Sequence, residues 1–150
     1  MSHGECNLDV MLSTLRPELQ KHPYVFGSLS TTELILTDQL HPVATMQEAE
    51  GLSVIVTQDE AERHNIPFEE AFRQITLTVH SSLSSVGLTA AISTRLAQHK
   101  IPANIVAGAF HDHLFVPASL ANKAMNVLES LSNESEHLLH DEKTSDTQQP

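Results

Sequence analysis

The chain has no tryptophan, a single cysteine, five glycines and only 4% aromatic residues in 150. Lone Cys6 has no partner for an internal disulfide, so a reducing compartment fits and the cytoplasm is the expected location. Basic residues are scarce: 8 Lys and Arg stand against 19 Asp and Glu, a net charge of −11 with the 10 His neutral. Phosphate neutralisation needs clustered Lys and Arg, so nucleic acid is excluded as a partner. An anionic membrane surface is disfavoured for the same reason. No apolar run approaches the ~18 residues of a membrane span. The start, MSHGECNLDVML, has no basic segment leading into an apolar one, so no secretion signal is expected. The glycines form neither G-x-G-x-x-G nor G-x-x-x-x-G-K-[ST], and no G-x-S-x-G elbow is present. Cys6 has no basic activator beside it in sequence. Arg73 and Arg95 read as solvated charges. No catalytic residues and no cofactor are assigned, and the expectation is a protein that is not an enzyme.

The acidity is concentrated at one end. Glu129, Glu134, Glu136, Asp141, Glu142 and Asp146 face Lys143 alone, which is −5 of the total −11. Residues 133–150 read as a disordered, solubilising acidic tail.

Hydrophobic spacing places the elements. Leu8, Met11, Leu12, Leu15 and Leu19 form a helical stripe that Pro17 ends or distorts. Tyr24–Leu29 reads as a strand, and Glu33–Leu36 as a short strand or a turn of helix. His41–Gln47 and Gly51–Thr57 form a hairpin turned at 48–51. Thr57-Gln-Asp-Glu60 is a capping box opening a helix that Ile66-Pro67 stops. Ile75–Val79 alternates strictly, with Ile75, Leu77 and Val79 on one face. The serines of 81–85 offer caps for a helix reaching Gln98, with Leu88, Ala91, Ile92 and Leu96 inward. Ala103–Phe110 and Leu114–Val116 pair as strands across a tight connection at His111-Asp112. A last helix begins near Ala118.

The second half thus runs strand, helix, strand, strand, helix, most of a βαββαβ unit. The fold class expected is α+β: two ferredoxin-like units packed side by side, with antiparallel sheets covered by helices on one face. Residues 1–73 form the first unit with an N-terminal helix, and 74–132 the second. No fourth strand is evident in the second unit. Either a strand of the first half completes its sheet or the edge stays open for another chain, so strand exchange or a homodimer is expected.

The segments Ile75–Ser93 (ITLTVHSSLSSVGLTAAIS) and Asn104–Pro117 (NIVAGAFHDHLFVP) resemble a family of small bacterial proteins in the ACT-domain superfamily. Leu15-Arg-Pro17, YVFGS and HPVATMQEAEGLSVIV extend the resemblance over roughly 8–131. It is similar, more distantly, to the ACT pairs of the eukaryotic cytosolic arginine sensor and of aspartate kinases. The resemblance implies a regulatory module that binds a small molecule, an amino acid foremost, at the turn from first strand to first helix near an interface between units.

That turn here is His80, Ser81, Ser82, Leu83, Ser84, Ser85, Val86 and Gly87. A helix N-terminus offers free N–H groups and partial positive charge to a carboxylate. Gly87 permits close backbone approach, and the serines add donors and acceptors. Asp112, placed in the hairpin turn, is available for an amino group, with Asn104 and His111 as further contacts. The same serines equally suit the plainer task of shaping the turn and capping the helix. His80, His111 and His113 are the alternative, a divalent-metal set; a ligand-independent association module is the other. His137 and His140 show no pattern.

Overall fold

The computed structural model describes residues 7–30, 33, 38–79 and 81–145. Asn7 opens helix α1 (Leu8–Ser13), its side chain accepting from the Val10 N–H at 3.1 Å. Strand β1 (Pro17–Leu29) follows, then the hairpin β2 (Ala44–Glu48) and β3 (Gly51–Thr57). Helix α2 (Gln58–Arg63) and strand β4 (Phe72–Leu77) complete the first half. The second half holds α3 (Leu88–Gln98), β5 (Asn104–Ala107), β6 (Asp112–Pro117), a short 3-10 turn (Ala118–Leu120) and α4 (Ala121–Ser145).

The expected pair of sheets is one continuous six-stranded antiparallel sheet, in the order β2-β3-β1-β4-β6-β5. Its centre is shared. The C-terminal half of β1 pairs with β3, from Tyr24↔Thr57 to Leu29↔Leu52. Its N-terminal end pairs with β4, Pro17↔Leu77 through Leu19↔Ile75, and the register shifts between Leu19 and Pro23 before Tyr24↔Phe72. β4 therefore fills the fourth-strand position of the first unit, and β1 that of the second. Of the two expected solutions for the missing strand, pairing with a strand of the first half is the one found. This also explains Leu19: it continues the spacing of the α1 stripe but lies in β1, because Pro17 cannot continue a helix and starts a strand.

Period-2 alternation divides the sheet into two faces. Helices cover one. Leu88, Ile92 and Leu96 of α3 and Ala121, Ala124, Leu128 and Leu131 of α4 pack on Ile75, Leu77, Leu114 and Val116. α1, though first in the chain, sits in this second core through Met11 and Leu12, with Leu15 just beyond it. A smaller core joins Val25, Leu29, Val54 and Val56 to Ala61 of α2 and Ile66. Each fully buried Leu or Ile contributes about 1.5–3 kcal/mol, so these cores carry the fold despite the scarcity of aromatics. The aromatics lie mainly on the opposite face. There Tyr24, Phe26, Phe72 and Phe115 meet edge to face, with ring centroids 5.0–6.1 Å apart.

Helices α2 and α3 stop in the same way. Asn65 after α2 and Lys100 after α3 take left-handed conformations, φ 54° and 58°. The Ile66 N–H then donates to the Ala61 carbonyl, and the Ile101 N–H to the Leu96 carbonyl. The isoleucines bury and Pro67 and Pro102 bar continuation.

α4 corrects the expected tail. Residues 133–145 are helical, not disordered. Ser135 is buried and bonds back to the Leu131 carbonyl, and the Glu134 carboxylate takes both terminal nitrogens of Arg95 at 3.0 and 2.7 Å. Charge density had suggested a solvated coil, but burial of Leu128, Leu131 and Ser135 carries the helix past residue 132, and its last turns run on with exposed side chains. Glu33 lies in a 3-10 turn, whereas the rest of the ambiguous Glu33–Leu36 segment lies outside the described residues. Among the described residues no helix is long and apolar enough to cross a membrane.

Candidate functional site

The segment from Ser81 to α3 and the turn between β5 and β6 enclose a cavity of about 150 Å³. Its wall includes Ser81, Ser82, Ser85, Gly87, Thr89, Gly108, His111 and Asp112. Most of the turn-and-hairpin residues singled out from the sequence are thus brought together. His80 lies outside the described residues. Ser84 and Val86 are exposed beside the cavity and do not line it.

The helix start differs from the sequence expectation. None of the serines caps α3. Its N-cap is Gly87, at φ 101° and ψ −19°, with no side-chain hydrogen bond to the first turn. The serines instead close their own turn. The Ser82 carbonyl accepts from the Ser85 N–H (3.0 Å) and hydroxyl (2.7 Å), and the Ser82 hydroxyl accepts from the Ser84 N–H at 3.2 Å. The first turn of α3 also lacks an acidic residue. Its N–H groups have no intrahelical acceptor, and its partial positive charge has no compensating side chain within the helix.

Among the described residues that line the cavity, Asp112 is the only carboxylate and none is Lys or Arg. It is the first residue of β6, paired with Ala107 and Leu77, and not a turn residue as expected. The turn closes one residue earlier, where the Gly108 N–H donates to the His111 carbonyl at 2.8 Å. Burial pushes the Asp112 carboxyl above its ordinary pKa, against the opposing pull of His113 and His111.

The two histidines do different things. His111 Nδ1 stands 3.5 Å from the Val79 carbonyl oxygen, beside the cavity. His113 Nδ1 lies 3.1 Å from the Thr76 hydroxyl and 3.2 Å from Gln74 Nε2 on the helix-free face, where Gln20 donates to the same hydroxyl. Burial lowers the His113 pKa and His111 adds to this, while Asp112 opposes it. Among the described residues no three His, Cys, Asp or Glu side chains form a metal-binding group. Asn104 departs furthest from expectation. It pairs with Phe115 and lines a separate cavity with Phe26, Phe68 and Phe72, away from Asp112. Leu88, Thr89, Ala107, Gly108 and Phe110 also line the cavity and were not singled out from the sequence as site residues. Thr89 follows from helix geometry, two residues past the N-cap.

A single sheet whose central strands serve two ferredoxin-like units, with a cavity at a strand-to-helix turn, defines a tandem ferredoxin-like protein. The chain belongs to the ACT-domain family: ACT-domain models match residues 3–73 and 70–130. It is 38% identical to a Vibrio cholerae protein of unknown function, described as a possible transport protein, over 83% of this chain and 95% of that one (TM-score 0.73). In fold it is similar to the ligand-free regulatory subunit of Thermus thermophilus aspartate kinase, at 12% identity, covering 79% and 97% of the two chains (TM-score 0.61). Escherichia coli aspartokinase III, solved with aspartate and ADP, aligns at 13% identity over 77% of this chain and 32% of its own (TM-score 0.59). No curated protein matches the sequence significantly. Tandem ACT domains make this a ligand-binding regulatory module and not a catalyst.

Proposed function

We propose that the module binds a free amino acid in the cavity between α3 and the β5–β6 turn. The observation that carries this reading is the pairing of opposite needs in one small space. The uncapped N-terminus of α3 suits a carboxylate, and Asp112, without a lysine or arginine beside it, suits an ammonium. A zwitterion answers both. Its ammonium favours the ionised form of Asp112, against the burial that raises the carboxyl's pKa. The serine hydroxyls and His111 supply further polar contacts. The absence of an acidic residue from the first turn of α3 fits an occupant that brings its own negative charge.

Thermal-shift screening of the full chain against the twenty amino acids tests the reading. At about 100 times its dissociation constant, a ligand stabilises by ~2.7 kcal/mol. Asp112→Asn is expected to abolish the shift while the unliganded protein stays folded. A folded protein that no amino acid stabilises would sink the proposal.

The output is proposed to pass through association with a second copy, because a ligand acts only by differential affinity for two states. Phe26 and Met46, 37% and 65% exposed on the helix-free face, support an association surface. Sedimentation with and without the bound amino acid is expected to show a ligand-dependent distribution. A dimer indifferent to ligand would favour the pure association module instead.

A further inference from the structure

We infer that the amino acid has a large apolar side chain, of the leucine or phenylalanine class. This rests on the amino-acid reading above and narrows it. A cavity of about 150 Å³, lined by serines, Thr89, His111 and Asp112 and also by apolar Leu83 and Phe110, has room for the charged end of an amino acid but not for a long side chain, which must point to the mouth. Leu83 and Val86, on the turn before α3, are 74% and 85% exposed, and Phe110, on the β5–β6 turn, is 68% exposed. These three large apolar residues stand on the two segments that enclose the cavity. Single exposed apolar residues need no explanation, but a set gathered around one polar cavity marks a contact surface.

The remaining side-chain classes fit less well. An acidic side chain would find no Lys or Arg on the wall. A basic side chain would compete with the ligand's own ammonium for Asp112, the only carboxylate among the described lining residues. A short polar side chain would leave Leu83 and Val86 uncovered. An apolar one covers them, and each methylene placed against an apolar wall adds discrimination.

Calorimetric titration of the full chain with L-leucine, L-phenylalanine, L-alanine, L-serine, L-aspartate and L-lysine tests the inference. Leucine or phenylalanine is expected to bind at least ~10-fold more tightly than alanine, the order of one or two methylenes in an apolar pocket. In the triple variant Leu83→Ser, Val86→Ser, Phe110→Ser, that ratio is expected to fall below about 3-fold, with alanine binding unchanged within about 2-fold. All three residues are exposed, so an unchanged melting temperature is the folding control. Serine, aspartate or lysine binding as tightly as leucine would overturn the inference and leave the amino-acid reading standing. No binding by any of the six would overturn both. If the triple variant loses self-association while the leucine-to-alanine ratio survives, the rim is a surface between copies and the inference falls.

Discussion

Replacing Gly87 by alanine tests the geometry on which the cavity depends. Gly87 holds φ 101° as the N-cap of α3. An L-residue in the left-handed region meets its own carbonyl, at a cost of about 1–2 kcal/mol. A Cβ there would also stand 3.2 Å from Leu8 Cδ2, so the start of α1 must give by a few tenths of an ångström. Against this, alanine restricts the unfolded chain and returns roughly 0.4–1 kcal/mol. The net expectation is a loss of about 1 kcal/mol or somewhat more. For a chain of this size that lowers the melting temperature by roughly 2–4 °C per kcal/mol. Thermal and urea denaturation of both proteins reads it, and equal transition slopes in urea would show that the surface exposed on unfolding is unchanged. Gly87→Ala at least as stable as the parent would refute the reasoning, since relief of unfolded-state entropy would then outweigh any strain at the helix start.

Other perturbations follow from particular contacts. Alanine at Gly27 would put a Cβ 2.5 Å from buried Ile66 Cγ2, so denaturation is expected to show a loss of about 1–3 kcal/mol from overpacking the first unit's core. His113 has a folded pKa below its unfolded one, so its contribution is full above about pH 6.5 and is lost as pH falls towards the folded value. Stability measured from pH 7.5 to 5 is expected to decline more steeply in the parent than in His113→Gln; parallel profiles would contradict this. Truncation after Ser132 removes the Glu134 partner of Arg95 and the last helical turns, so helical ellipticity is expected to fall. Unchanged ellipticity would mean that residues 133–145 add no helix in solution.

Local signals in the sequence matched the structure where they were strong. Thr57 does cap α2, with its hydroxyl accepting from the Glu60 N–H at 3.3 Å. The reciprocal half of the capping box differs. Glu60 turns its carboxylate to the His41 N–H at 2.9 Å, a partner nineteen residues away that spacing does not show. Burial works to raise the pKa of Glu60, but the His41 and Thr57 bonds outweigh it and hold the carboxyl below its usual value. The Leu88, Ile92, Leu96 stripe ends at Gln98 as periodicity predicts. The misreadings are tertiary in origin. Whether Leu19 belongs to α1 or β1 depends on its pairing with Ile75, fifty-six residues on. The continuation of α4 past 132 brings Glu134 to Arg95 of another helix, a contact that spacing does not show. Asn104 was grouped with Asp112 by nearness in sequence, yet each sits at an opposite end of the β5–β6 ladder. The serine-rich turn looked like a run of helix caps, but a glycine took the cap and left the helix end open. That difference is what makes the cavity chemically interesting.

The central claim is that an amino acid sits between the α3 N-terminus and Asp112. Amide chemical-shift mapping of the labelled full chain, titrated with L-leucine, tests it most directly. The predicted result is saturable shifts concentrated at the N–H groups of Leu88, Thr89 and Ala90 and at His111 and Asp112. Shifts centred on Phe26, Phe68 and Phe72 around the other cavity, or none at saturating leucine, would contradict it.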